Sequence, residues 1–274
     1  MLEEIAKTCY VTAIAVMGEV GTQARSRSHY APDAMKARIL PRVCSGECKL
    51  AICMTEPHAG TDIANYRTNA IVDGNIVRLT GVKTLISRVD EAEVFIVFSR
   101  IDGRAGAEGI GCVLVGKGTP GFSTTARYHP MGSENLAEIQ FDHCELLLEN
   151  LIIRENGFRK LLRAFNTQRC LNPSISLGLA EGAFEEAIRY ARDRTAFRER
   201  IGGAARNVAA RHQRRAADPR RVGFTDEFPG SRLYRAARYR MLGGGTTETL
   251  RDLVGKKLFA DFDPVDGFLS MKTF

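Results

Sequence analysis

Between residues 50 and about 151 the apolar residues of this chain abandon the three-and-four spacing of helices for the alternation of strands, and this change of period limits the fold most. Asn69-Ala70-Ile71-Val72 and Ile76-Val77-Arg78-Leu79 flank Asp73-Gly74-Asn75, where glycine accepts the positive φ that a tight hairpin turn needs. Residues 92–98, 110–115, 122–126 and 138–141 supply further short strands with glycine or proline between them. That rhythm is the mark of a small barrel or sandwich.

Helical sequence lies on both sides. Ile5, Cys9, Ala13 and Val16 recur at spacings of three and four, with Gly18 and Gly21 breaking the pattern. Pro32, after Tyr30-Ala31, predicts the first turn of a short helix that runs toward Leu40-Pro41. After Gly157 the helical period returns. Ala180, Ala183, Phe184, Ala187, Ile188 and Ala191 form an apolar stripe, and Pro173 ahead of it predicts a helix start or a kink. Residues 233–241 and 247–258 read as two more helices separated by Gly243-Gly244-Gly245. The expectation is an α+β, multi-domain chain: N-terminal helices over 1–49, a middle β-domain over 50–152 and C-terminal helices over 153–274.

With 274 residues, 44% of them hydrophobic, the chain can bury a substantial core. No uninterrupted apolar run reaches membrane-spanning length, and Met1-Leu2-Glu3-Glu4 carries acid where a secretory signal carries Lys or Arg. A cytoplasmic protein with no membrane partner is expected. Cys9, Cys44, Cys48, Cys53, Cys112, Cys144 and Cys170 lack paired metal spacing, and even the nearest pair, Cys44 and Cys48, has no second pair or neighbouring His. They read as free thiols in a reducing compartment, with no metal. The net charge of +7 is uneven, with eleven arginines between Arg189 and Arg221. The densest part, 203–221, has no aromatic residue to stack on bases, so it reads as a solvated segment and not a nucleic-acid surface.

Two segments carry chemistry: Met54-Thr55-Glu56-Pro57-His58-Ala59-Gly60-Thr61-Asp62 and Lys83-Thr84-Leu85-Ile86-Ser87. Thr55 and Ser87 are short hydroxyl residues at strand ends, able to hydrogen-bond a flat heteroaromatic ligand without crowding it. Gly60 permits close backbone approach, and Glu56-Pro57 stiffens the turn that leads to it. Singly, a threonine or serine at a strand end usually caps a turn. In this order and spacing the two segments resemble the middle-domain signatures of the acyl-CoA dehydrogenase family, M/V-T-E-P-x-A-G-S/T-D and K-x-W-I-T/S. The resemblance runs from about residue 3 to 201 and resumes from 223 to about 257. It implies that family's fold: N-terminal helices, a middle β-barrel and a C-terminal helical bundle, here with incomplete helical parts.

The resemblance also implies an FAD site and an acyl-CoA site. Met54, Thr55, Gly60, Thr61, Leu85, Ile86 and Ser87 would contact the flavin, with Leu85 an apolar wall where many members carry tryptophan. Thr61 and Arg169 would lie near the CoA thioester. Met131-Gly132 matches the family's M-G turn, but Ser133-Glu134-Asn135 departs from its arginine and serine pattern. Arg194 and Phe197 match R-x-x-F-G, except that Arg198 replaces the glycine. Gly223-Phe224-Thr225-Asp226-Glu227-Phe228-Pro229 and Arg232-Leu233-Tyr234-Arg235 resemble the family's G-Y/F-T-x-E-x-P…R-L-Y-R run.

Family members remove the α-proton of an acyl-CoA with a carboxylate while the β-hydrogen passes as hydride to the flavin. Of the two seats that the family gives this base, Gly244 occupies one and Gln168, ahead of Arg169, the other. Glutamine hydrogen-bonds but does not accept the proton at neutral pH. Glu248 is close by in sequence but matches a different family position. Three further departures stand beside this: the sequence begins within the family's first helical domain, the arginine-rich stretch near 203–221 stands in place of a long antiparallel helix pair, and Arg221-Val222-Gly223 is all that matches a Q-x-x-G-G element. They read as an N-terminal truncation and an internal deletion or frame-shifted stretch. Loss of the helix pair predicts that the apolar stripe over 175–191 is exposed and that the family's homo-oligomer is weakened.

Three functions remain open at this point: an acyl-CoA dehydrogenase-like flavoprotein served by an electron-transfer flavoprotein; a base-free enoyl-CoA reductase or β-elimination enzyme; and a non-catalytic CoA-ester-binding remnant.

Overall fold

The computed structural model describes residues 1–21, 30–130, 135–196, 199–200, 229–240 and 251. Among these residues three short helices come first, α1 (Leu2–Thr8), α2 (Tyr10–Val20) and α3 (Asp33–Cys44). Eight strands follow: β1 (Leu50–Cys53), β2 (Asn69–Asp73), β3 (Ile76–Ser87), β4 (Val94–Ile101), β5 (Ile110–Gly116), β6 (Phe122–Tyr128), β7 (Leu136–Leu147) and β8 (Leu151–Ile153). The long helix α4 (Gly157–Asp193), a two-residue ribbon of β9 (Thr195–Ala196) and β10 (Glu199–Arg200), and α5 (Pro229–Arg240) complete the described elements.

The strands form one sheet in the order β6-β7-β3-β2-β4-β5-β8, with β1 added parallel to β4. The hairpin read from Asp73-Gly74-Asn75 is present: β2 pairs antiparallel with β3, and Gly74 has φ +57°. The sheet curls around a common interior. Phe122 of β6 and Phe95 of β4 are far apart in sheet order, yet their ring centroids are 4.7 Å apart, and Phe141 of β7 adds an edge contact at 5.8 Å. Phe95, Val97, Val113, Val115, Ile139 and Phe141 fill this interior. β4 and β5 are apolar on both faces because a second core lies outside them, where Ile96, Phe98, Cys112 and Leu114 meet Met35 and Val43 of α3 and Leu161 of α4.

A third core joins the helices. Leu2, Ala6, Tyr10, Ala13 and Met17 face Ile175 and Leu179 of α4 and Leu233 and Ala236 of α5. Gly178 and Gly182 let α1 approach α4 closely: a Cβ on Gly178 would stand 2.1 Å from the Glu3 carbonyl oxygen, and one on Gly182 2.8 Å from that of Lys7. Lys7 ties the pair further through Glu181 at 2.8 Å.

Several helical expectations need correction. The first helical stretch is broken at Cys9, whose extended backbone (φ −141°, ψ 98°) ends α1 and starts α2. The break shifts the helical phase, so that of Ile5, Cys9, Ala13 and Val16 only Ala13 is fully buried. Gly18 lies inside α2 and breaks nothing. The helix opened by Pro32 continues through Pro41 to Cys44, and α4 begins at Gly157 and runs through Pro173. In both cases tertiary burial outweighs the lost backbone donor: Val43 beyond Pro41, and Ile175 and Leu179 beyond Pro173, are core residues. The stripe of Ala180, Ala183 and Phe184 faces solvent, with Phe184 64% exposed, and the packed face is Ile175, Gly178, Leu179 and Gly182. Exposure along this helix agrees with the expectation for 175–191 at Leu177 and Phe184, and differs at Ile175.

None of the seven cysteines is in a disulfide, and Cys44 is exposed where Cys48 is buried. Among the described residues no helix is long and apolar enough to cross a membrane. The arginine-rich stretch over 203–221 lies outside the described residues.

Candidate functional site

The two motif segments, far apart in sequence, meet at one end of the sheet. β1 ends at Cys53 and hands the chain to Met54 and Thr55, while Ser87 is the last residue of β3. The Thr84 N–H donates to the Thr55 carbonyl at 2.8 Å, fixing the segments side by side. Glu56 and Ala59 exchange backbone bonds of 2.9 and 3.1 Å, so Glu56-Pro57-His58-Ala59 is a tight turn.

Beneath this junction is a charged pair that sequence reasoning did not find. Lys83 and Glu56 are buried, with the Lys83 Nζ 2.8 Å from Glu56 Oε1. Nζ also donates to the Met54 carbonyl at 2.8 Å and lies 3.8 Å over the Tyr66 ring. Glu56 accepts from the Arg67 N–H at 2.7 Å and the Thr68 N–H at 3.1 Å, and His58 Nε2 is 3.4 Å from it. Burial pulls the Lys83 ammonium down to about 8, against the opposing pull of Glu56. Burial alone would push the Glu56 carboxyl up, but Lys83 and the Arg67 N–H together hold it below its ordinary value. Burial also pushes the Cys53 thiol up to about 12, which leaves it an uncharged neighbour of the pair. A lysine at an inward strand position, in phase with Val77 and Leu79 but for one irregularity in the pairing, was the available signal, since such a charge needs a partner.

The loop from Met54 to Thr68 is anchored at its far end as well. Thr68 crosses directly over Gly81, whose φ is +147° and where a Cβ would lie 2.5 Å from the Thr68 Cα. Only glycine allows that crossing. The Arg100 guanidinium then gathers the carbonyls of Tyr66 at 3.1 Å, Ala64 at 2.6 Å and Gly106 at 3.4 Å, together with that of Arg104.

Leu85 lies where the β3–β7 register shifts, with φ +55° and half its surface exposed. A branched apolar residue in left-handed backbone at a bulge is strained, and such strain gathers at functional positions. Ile86 is buried in the sheet interior, so its side chain belongs to the core and only its backbone reaches the junction. Thr55, Met54 and Ser87 are half-buried. Gly60 and Thr61 are exposed, and among the described residues nothing comes within 4 Å of a Cβ built on Gly60. The result is an open face bordered by Thr55, Leu85 and Ser87: two hydroxyls beside an exposed apolar side chain suit a planar, hydrogen-bonding ring. Thr84 turns the other way, its hydroxyl 3.2 Å from that of Tyr128.

Gln168 is half-buried on α4. Gly244, Glu248, Met131, Gly132, Phe197 and Arg198 lie outside the described residues, as does the Arg169 side chain.

Residues 51–144 match the acyl-CoA dehydrogenase middle domain and residues 155–217 its C-terminal domain, together more than half of the chain. The chain belongs to the acyl-CoA dehydrogenase family. It is 28% identical to a mitochondrial isovaleryl-CoA dehydrogenase of Pongo abelii over 84% of this chain and 66% of that protein. It is 31% identical to a cyclohex-1-ene-1-carbonyl-CoA dehydrogenase of Geobacter metallireducens over 72% of this chain and 53% of that one. Among solved structures it resembles butyryl-CoA dehydrogenase from Megasphaera elsdenii, with TM-score 0.84, 25% identity, and coverage of 94% of this chain and 80% of that one. The chain thus spans about half to two thirds of the length of these two curated relatives.

Proposed function

We propose that this chain is an FAD-binding, acyl-CoA dehydrogenase-like flavoprotein, with helices over 1–49, a flavin-holding β-domain over 50–152 and a C-terminal helical part over 153–274. One observation supports the reading: the Thr84–Thr55 backbone bond holds Met54-Thr55 beside the strand end that carries Leu85-Ile86-Ser87. Thr55 and Ser87 would offer hydroxyls to the ring, Leu85 would cover it, and Gly60 and Thr61 would leave room for the phosphates. Bound FAD supplies a hydride acceptor for the β-carbon of a CoA thioester. Thr61 and Arg169 are the residues of this chain for that thioester. Both seats that the family gives its base hold residues that accept no proton, Gly244 and Gln168, and a positioned base is worth about 10² to 10⁴ in rate. An electron-transfer flavoprotein as electron acceptor, a weakened homo-oligomer, and a cytoplasmic setting free of nucleic acid and metal complete the reading.

The test is the visible absorption spectrum after incubation with FAD and removal of free cofactor. Retained flavin bands that bleach slowly under an acyl-CoA support the reading. Flavin retained and oxidised by an enoyl-CoA once chemically reduced, with no α-proton exchange, favours the reductase. Bound CoA ester without flavin points to the binding remnant.

A further inference from the structure

Lys83 holds three groups at once: the Met54 carbonyl, the Glu56 carboxylate and, through its face, the Tyr66 ring. All three belong to the loop after β1, whereas Lys83 itself belongs to β3, two residues before Leu85. Its side chain therefore bridges the two edges of the open face from below, alongside the Thr84 N–H bond to the Thr55 carbonyl; farther along, the Thr68 hydroxyl donates to the Val82 carbonyl at 3.2 Å. A structural lysine could have been replaced by an apolar residue in this fully buried position, since buried ion pairs are often no more stabilising than hydrophobic residues of the same volume. What an apolar residue could not do is hold a backbone carbonyl at a set distance.

We propose that Lys83 is a positioning residue for the flavin: it sets the separation between the Met54-Thr55 turn and the Leu85–Ser87 strand end, between which the ring is clasped. This rests on the flavin reading above and adds to it a residue that touches no cofactor atom. Only the charged form grips fully, because a neutral amine is a weaker donor to Met54 and leaves the Glu56 charge uncompensated. The groups facing Lys83 are Glu56 and Tyr66 from the loop, Cys53 from β1 and Cys112 from β5, with His58 behind Glu56. With the ammonium pulled down to about 8, FAD affinity falls as pH rises above that value.

Removing Lys83 alone strands the Glu56 charge and endangers folding, so the informative variant is the neutral pair Lys83→Met with Glu56→Gln, in which the new side-chain amide oxygen still accepts a backbone N–H from the Arg67-Thr68 segment. Its thermal midpoint, FAD dissociation constant between pH 6 and 9, and Thr84 amide exchange in flavin-free protein are compared with wild type. The expected result is a folded variant whose FAD affinity is at least about tenfold weaker and flat with pH, and whose Thr84 amide exchanges faster. A folded variant with wild-type affinity and pH profile overturns the proposal. If wild type binds no FAD, the flavin reading fails by itself, and Thr84 exchange decides whether Lys83 sets the spacing: faster in the variant supports it, unchanged overturns it. If the neutral pair does not fold, Glu56→Gln alone decides by its pH profile: loss of the carboxylate that opposes burial should move the fall in affinity to a pH below that of wild type, and a profile unchanged from wild type overturns the proposal.

Discussion

β4 and β5 bury large side chains on both faces, Phe95 and Val97 inward, Ile96 and Phe98 outward, whereas α1 and α4 meet through Ala6, Gly178 and Gly182, where almost nothing lies between the two backbones. The sheet is held by volume and the helix pair by its absence. Side-chain loss should therefore damage the first and side-chain gain the second. The solvent faces differ too, since β6 alternates exposed and half-buried residues while α4 leaves Leu177 and Phe184 uncovered.

Phe95→Ala should show the largest effect, about 3–5 kcal/mol lost in urea unfolding, because the ring touches Phe122 across the sheet interior and no neighbour can refill its space. Gly178→Val should cost about 1–3 kcal/mol through overpacking against the Glu3 carbonyl. Hydrogen exchange should place that loss in α1 and α4, and faster exchange in β4 or β5 would break the contrast between the two regions. Acid sharpens it in another way. The Glu56 carboxyl is held below its ordinary value of 4.5, so the stability it contributes is complete above that value and drains away as pH falls below it. Denaturant midpoints taken downward from pH 6 should fall for wild type and less steeply for Glu56→Gln; parallel curves would show that the pair does not couple the sheet to pH. The smallest effect belongs to Phe184→Lys, within about 0.5 kcal/mol on stability, yet it should reduce concentration-dependent light scattering, since it interrupts an exposed apolar face.

The legibility of the sequence follows the same division. The β2–β3 hairpin was readable because Asp73-Gly74-Asn75 encodes its turn locally, and the positions of Thr55 and Ser87 at strand ends followed from composition around them. The face of α1 and α2 was misread because periodicity was carried through Cys9, where the backbone leaves the helix and resets its phase. Pro41 was read as the end of a helix and Pro173 as a start or a kink, because the burial that carries each helix onward comes from distant residues. The Lys83–Glu56 pair was missed for the same reason: each residue sits in a recognisable motif, but only folding shows that they share a buried site.

The bond from Thr84 to Thr55 closes a loop of about thirty residues, which contains the β2–β3 hairpin. Hairpins of this kind form in about 1–10 μs, and a formed hairpin shortens the stretch of chain whose entropy must still be lost. Loop-closure entropy thus predicts an order of events for the open face: the turn at Gly74 closes first, Thr68 then settles across Gly81, and the two motif segments are joined last. By the same order they are the first to part when the protein unfolds, so a bound ring across them would act chiefly on the unfolding rate.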